Sequence, residues 1–248
     1  MTLYHVTTQT NNTAVGYFAG GGIQNGGNNT AIGTSVLGTT NSASQNTGVG
    51  SSALRNTTAG NNTGLGYRAL YSNTSGTRNI AIGVQALDSA TTESDNIAIG
   101  HEAMYNPNGG EKNVAIGNYS LDALTTADGV VAIGHQAGTS VTTGTENVMV
   151  GYRAGNNITT GTANTMIGYD AGVLADNYQN TIIGFKAGDS VSGSDGANTL
   201  IGAEAMGSAS ASDVVAVGKW TILDNTADGT VAIGTEAGRK QTSGAGAT

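Results

Sequence analysis

The chain contains no cysteine, one proline and one tryptophan in 248 residues. Without cysteine, disulfide frameworks and thiolate metal centres are excluded, and the redox compartment leaves no trace in the sequence. Charged residues make up only 10% and aromatics 5%. Nine basic residues stand singly against seventeen acidic ones, for a net charge of -8. A nucleic-acid partner needs clustered Lys and Arg to neutralise phosphates, so that class is set aside. No apolar run approaches the roughly 18 residues of a membrane-spanning helix, and the opening MTLYHVTTQT has neither the basic nor the apolar region of a secretion signal. The expectation is therefore no membrane partner and no nucleic acid.

Glycine is abundant, at 40 residues, and so are Val, Ile and Thr. A disordered chain is usually rich in Pro and charge and poor in β-branched residues, so this balance points to strands. The glycine is not scattered. A branched aliphatic residue followed by glycine recurs at Gly16, Gly33, Gly50, Gly66, Gly83, Gly100, Gly117, Gly134, Gly151, Gly168, Gly184, Gly202, Gly218 and Gly234. Eight of the thirteen steps are 17 residues, four are 16 and one is 18.

The residue just before each glycine is Val, Ile or Leu, and the residue three before it is Thr, Val or Ile. That is a period of two, the mark of a short strand with one buried face. Four before the glycine stands Asn in eleven repeats, a residue suited to turns. Three after it stands Ala in eleven repeats. Each repeat thus reads as a turn, a strand of about four residues, a glycine corner, a second short apolar segment and a polar loop. So short a strand buries its apolar side only when coils stack. The predicted fold is an all-β parallel β-solenoid of about 14 coils over residues 12–238, with a docking tail or cap at 1–11 and a tail at 239–248. The corner glycines answer a need for positive φ or for close backbone approach.

Two expectations about facing follow. The Val, Ile and Thr columns are assigned inward. The intervening column is small in ten repeats, namely Ala14, Ala31, Gly48, Gly64, Ala81, Ala98, Ala115, Ala132, Ala216 and Ala232, and is assigned to close approach of another subunit. In four consecutive repeats that column becomes Met149, Met166, Ile182 and Leu200. Exposed, such a stripe is a liability, so these four residues are expected in a subunit or partner contact, the alternative being that they enter the core of their own coils.

The phrase N-T/V-A-I-G-x-x-A, running from Asn12 to Gly238, resembles the head repeats of trimeric autotransporter adhesins and the NTAIGYxA repeats of bacteriophage tail fibres and other virion proteins. The resemblance implies a left-handed roll assembled as a homotrimer. Adhesin coils are a few residues shorter, and their stalk and barrel anchor have no counterpart in this sequence.

The sequence carries little chemistry. One [LIV]-G-x-x-A-x hexad per repeat falls short of the three per coil of hexapeptide acyltransferases. His101 and His135 share a column two repeats apart, an expected spacing of roughly 9 to 10 Å, too wide for one metal ion, and they alternate there with Tyr17, Tyr67, Tyr152, Tyr169 and Phe185. Asp128 and Asp228 occupy one loop position before glycine, a turn signal rather than a calcium repeat. The acids show no pairing of the kind glycoside hydrolysis requires. A Thr column of the kind that binds ice begins at Thr13, Thr30, Thr47 and Thr63, then turns to Ile80 and Ile97.

The expected function is that of a non-enzymatic bacteriophage virion protein with no cofactor and no metal. In this reading it is a trimeric decoration or cement protein on the capsid surface, bound to the major capsid protein or another virion protein through MTLYHVTTQT and the loop Gly20–Gly27. The alternative is a tail-fibre or adhesin head segment that binds a host receptor or glycan.

Overall fold

The computed structural model describes residues 11–40, 42–173, 176–189, 196–206, 211–222 and 228–238. The expected N-terminal cap, apart from Asn11, and the C-terminal tail lie outside the described residues. The chain forms two compact units, Met1–Thr126 and Ala127–Thr248.

Both units are parallel β-solenoids with one strand per repeat and no helix among the described residues. The first holds β1 (Thr13–Val15), β2 (Thr30–Ile32), β3 (Thr47–Val49), β4 (Thr63–Leu65), β5 (Ile80–Ile82), β6 (Ile97–Ile99) and β7 (Val114–Ile116). The second holds β8 (Val131–Ile133), β9 (Val148–Val150), β10 (Thr165–Ile167), β11 (Thr181–Ile183), β12 (Thr199–Ile201), β13 (Val215–Val217) and β14 (Val231–Ile233). Within each unit every strand pairs in parallel with the next, residue for equivalent residue, as in Thr30–Thr47, Ala31–Gly48 and Ile32–Val49 or Thr165–Thr181, Met166–Ile182 and Ile167–Ile183. Strands are three residues long, and the second apolar segment of each repeat is turn rather than strand.

The corner column behaves as its composition requires. Gly50 has φ +123°, and a Cβ there would lie 2.6 Å from the carbonyl oxygen of Gly66 in the next coil. Every other corner glycine also has a φ between +121° and +141°. The bends are sustained by further left-handed residues. Two and four positions after the corner, non-glycine residues such as Gln85 (φ 58°) and Leu87 (φ 52°) adopt this conformation repeatedly. It is uncommon outside glycine and costly unless the surroundings impose it.

The facing of the strand is the reverse of the sequence expectation. The middle residue points inward: Ala31, Ala81, Ala98, Ala115 and Ala132 are all fully buried. The flanking Val, Ile and Leu lie outward and are half-buried or exposed. The cause is volume. A coil of 16 to 18 residues encloses a narrow interior. In the first unit this is filled by the small middle residue, the Ala or Val after the corner, and a fully buried Leu37, Leu54, Leu70, Leu87, Met104 or Leu121. No room remains for a branched side chain from each flank.

The same geometry relocates the four-residue stripe. Met149, Met166, Ile182 and Leu200 are fully buried inside the second unit, so they fill their own coils rather than forming a surface for a subunit or partner. Met149, Met166 and Ile182 enter where the residue four after the corner is glycine, whereas Leu200 shares its coil with a fully buried Met206 at that position. A Cβ on Gly155 would lie 2.5 Å from Met149 Sδ, one on Gly172 would lie 2.5 Å from Met166 Sδ, and one on Gly188 would lie 3.1 Å from Ile182 Cδ1 and 2.9 Å from Leu200 Cδ1.

The recurrent Asn is a coil-to-coil tie rather than a local turn residue. In the first unit, Asn29 N donates to Asn12 Oδ1, Asn46 N to Asn29 Oδ1, and the series continues to Asn113 N on Asn96 Oδ1, each at 2.9 to 3.0 Å. In the second, Asn164, Asn180, Asn198 and Val214 donate in turn to Asn147, Asn164, Asn180 and Asn198 at 3.0 to 3.1 Å. The amide groups donate onward, as in Asn79 Nδ2 to the Glu93 carbonyl at 2.7 Å. This ladder satisfies buried backbone donors that would each cost about 1–3 kcal/mol if left unpaired.

Candidate functional site

The outward strand faces and the residues just past each corner are the two regular surfaces on which a function can be built. On the outward face the third strand residues form an apolar column in each unit. Val15 is 58% exposed, Ile32 39% and Leu65 44% in the first unit, while Ile133, Ile167 and Ile201 are 37–38% and Ile233 70% exposed in the second. The first strand residues flank them, with Ile80 at 37% and Val231 at 40%. The Thr column Thr13, Thr30, Thr47 and Thr63, assigned inward from the sequence, also lies on this outward face. Ile and Val take its place from Ile80 to Val148 and at Val215 and Val231, while Thr165, Thr181 and Thr199 return between them, so the column is mixed rather than a uniform hydroxyl array.

Next to the corner, in the second unit, His135 stacks on Tyr152 (5.4 Å between centroids, 8° between planes), Tyr152 on Tyr169 (5.0 Å, 11°) and Tyr169 on Phe185 (5.3 Å, 19°). In the first unit His101 meets Tyr119 edge-on at 5.2 Å. The stacked rings use their faces on one another, so this ladder joins coils. Among the described residues no group of three or more His, Asp or Glu is placed to hold a metal ion, and no helix is long and apolar enough to cross a membrane.

The charged groups act chiefly as ties between coils. In the first unit, Arg68 Nε and Nη2 grip the buried Asp88 at 2.7 and 2.8 Å while the guanidinium lies over the Tyr71 ring at 4.4 Å. The Asp88 hydrogen bond outweighs desolvation and holds Arg68 protonated more firmly than usual. Arg78 makes a similar two-point contact to Asp95, at 2.6 and 2.7 Å, and lowers the Asp95 pKa. Glu93 accepts from Thr91 N, Thr92 N and Gly109 N at 2.5 to 2.8 Å. Burial raises the pKa of Asp122, with Glu102 adding repulsion.

In the second unit Asp176 plays the role of Glu93. Its Oδ1 accepts from the backbone of Thr159, Thr160 and Gly161 at 2.8 to 2.9 Å, and its Oδ2 accepts from the Thr159 hydroxyl. Burial pushes its pKa up, but these hydrogen bonds prevail and the net shift is downward. Asp228 Oδ1 accepts from Ser212 N at 2.9 Å, again a link between coils. Sequence reasoning missed the outward apolar columns because it placed them inside. The signal that could have found them was the need to fit two branched side chains per strand into a narrow coil. No protein-family model matches the chain, and no curated protein matches it in sequence.

Proposed function

We propose that the chain is a non-enzymatic structural protein of a bacteriophage particle. It works as a homotrimer whose contact is the outward sheet face, and it sits on the capsid as a decoration or cement protein bound to the major capsid protein or another virion protein. The observation that carries this reading is the exposed Val, Ile and Leu column, with Ile32, Leu65, Ile167 and Ile201 each more than a third open in the lone chain. Runs of exposed apolar side chains mark association surfaces, and a face that repeats coil after coil lets each coil of one chain meet the same coil of its neighbours around a threefold axis parallel to the stack. The likeness of the repeat to adhesin heads and virion fibres supports the trimer and the particle.

Magnitudes favour a long contact over a local one. Burying the open third of an Ile contributes roughly 0.5–1 kcal/mol. Association costs an estimated 4–15 kcal/mol or more, so one coil cannot hold two chains and a ladder of many coils can.

Light scattering on the purified chain is expected to give three times the 24.6 kDa chain mass, and the pair Ile167→Lys and Ile201→Lys is expected to yield folded monomer. A monomeric parent chain overturns the trimer. Imaging of purified phage particles with a labelled antibody is expected to mark the capsid. Absence from particles overturns the virion role, and labelling of fibres moves the chain to a receptor- or glycan-binding role.

A further inference from the structure

The repeat breaks at one place in the second unit, where the 18-residue step from Gly184 to Gly202 lies between steps of 16 residues. An open pocket of about 320 Å³ lies there, lined by Tyr178, Gln179, Gly196, Ala197, Ser212 and Asp213. These six residues are the same two positions, six and five before the corner glycine, taken from three successive coils. The middle coil contributes Gly196 and Ala197, the smallest such pair in the fourteen repeats. The flanking coils contribute Tyr178 with Gln179 and Ser212 with Asp213.

The result is a valley one coil wide, with walls two coil spacings apart, roughly 9–10 Å. Its floor cannot carry more bulk at Gly196, because a Cβ there would run into the Tyr178 carbonyl oxygen. Ala197 has φ 63°, a conformation that Asn or Gly adopts at lower cost, so its small size is not explained by backbone preference. The amides of the floor and the far wall are already used: Ala197 N donates to Tyr178 O at 3.0 Å, Asp213 N to Gly196 O at 3.3 Å and Ser212 N to Asp228 at 2.9 Å. Side chains therefore hold the available chemistry. Tyr178 is 49% exposed, Gln179 supplies an amide, and Asp213 supplies a carboxylate with no ion-pair partner among the described residues.

The geometry points to a saccharide-binding site in this valley, taking a neutral or amino pyranose. An aromatic side with a polar tip on one wall suits the C–H face of a sugar ring. A carboxylate, which only accepts, and an amide, which does both, suit adjacent hydroxyls on the other edges. The volume is at the small end of ligand pockets, which limits the occupant to one or two sugar units. The lining carries a carboxylate and no cation, which disfavours acidic sugars. This inference stands independently of the homotypic contact on the sheet face.

Saturation-transfer NMR on the full chain tests it, using methyl glucoside, galactoside and mannoside, glucosamine, and glucuronate. Transfer to at least one of the neutral or amino sugars and none to glucuronate is expected. The signal should fall at least tenfold in Asp213→Ala and in Ala197→Gln, which fills the valley with a residue already tolerated at the equivalent Gln45 and Gln179. No transfer to any of the neutral or amino sugars, preferential transfer to glucuronate, or full transfer retained in both variants overturns the site.

Discussion

Met149 Sδ occupies the space that a side chain on Gly155 would need: a Cβ at that glycine would lie 2.5 Å from the sulfur. In β2 to β7 the arrangement is the opposite. Ala or Gly stands in mid-strand, and a Leu or Met four after the corner fills the coil, as Leu54 does above Gly48, where a Cβ would come within 3.5 Å of Leu54 Cδ1. In these coils the two positions share one interior volume and one of them supplies the bulk; in the β12 coil both do, Leu200 and Met206 being fully buried together.

That exchange predicts non-additivity. Met149→Ala leaves a cavity and should cost about 2–5 kcal/mol, and Gly155→Leu overfills the coil and should also destabilise, by about 1–3 kcal/mol or more. The double variant should recover part of both losses, with a coupling of about 1–3 kcal/mol in denaturant melts. Leu at this position is compatible with φ near +50°, as at Leu37 and Leu54. Simple additivity of the two losses would refute the shared volume.

Corner glycines should be far less replaceable than loop glycines of similar φ sign. Gly50→Ala meets both a φ of +123° and the Gly66 carbonyl, and should lose at least about 2 kcal/mol from strain and overpacking together. Gly129 has φ +67°, and a Cβ there would meet nothing within 4 Å, so Gly129→Ala should lose about 1 kcal/mol. Thermal midpoints of the two variants separate these cases.

The Asn ladder should be most sensitive in its interior. Asn164 accepts from Asn180 N and donates to Asn177 O at 2.8 Å, so Asn164→Ala leaves two buried groups unpaired and should cost about 2–5 kcal/mol. Asn12→Ala, at a half-buried end of the other ladder, should cost less. Equal losses in chemical denaturation would argue against a cooperative ladder.

Acid should weaken the second unit through Asp176. Its folded pKa lies below the ordinary carboxylate value, so its contribution is complete above the unfolded pKa and is lost as pH falls through the folded one. The difference in melting temperature between parent and Asp176→Asn should therefore shrink as pH is lowered into the acid range, where the parent has lost the same charge. A difference independent of pH would assign the effect to shape alone.

Much of the fold was open to a linear reading because its signals are local. The Val/Ile/Leu–Gly pair, the alternation around it and the 16- to 18-residue step place every strand and every corner within the described residues. Alternation tells which residues share a side, but not which side faces in. Hydrophobicity favoured the branched columns, and the narrow coil decided for Ala31 and its equivalents instead. Asn12 and its equivalents were visible as a column, yet their partners lie 16 to 18 residues on, a relation that exists only once coils stack.

Repeat length, strand position and corner glycine are thus properties of the chain taken a few residues at a time, since backbone conformation and the two-residue alternation act at that range. Inside against outside, the exchange of volume between Met149 and Gly155, and the valley over Gly196 and Ala197 depend on side chains from different coils meeting in a confined space. Packing volume is shared across coils, and no single repeat contains it.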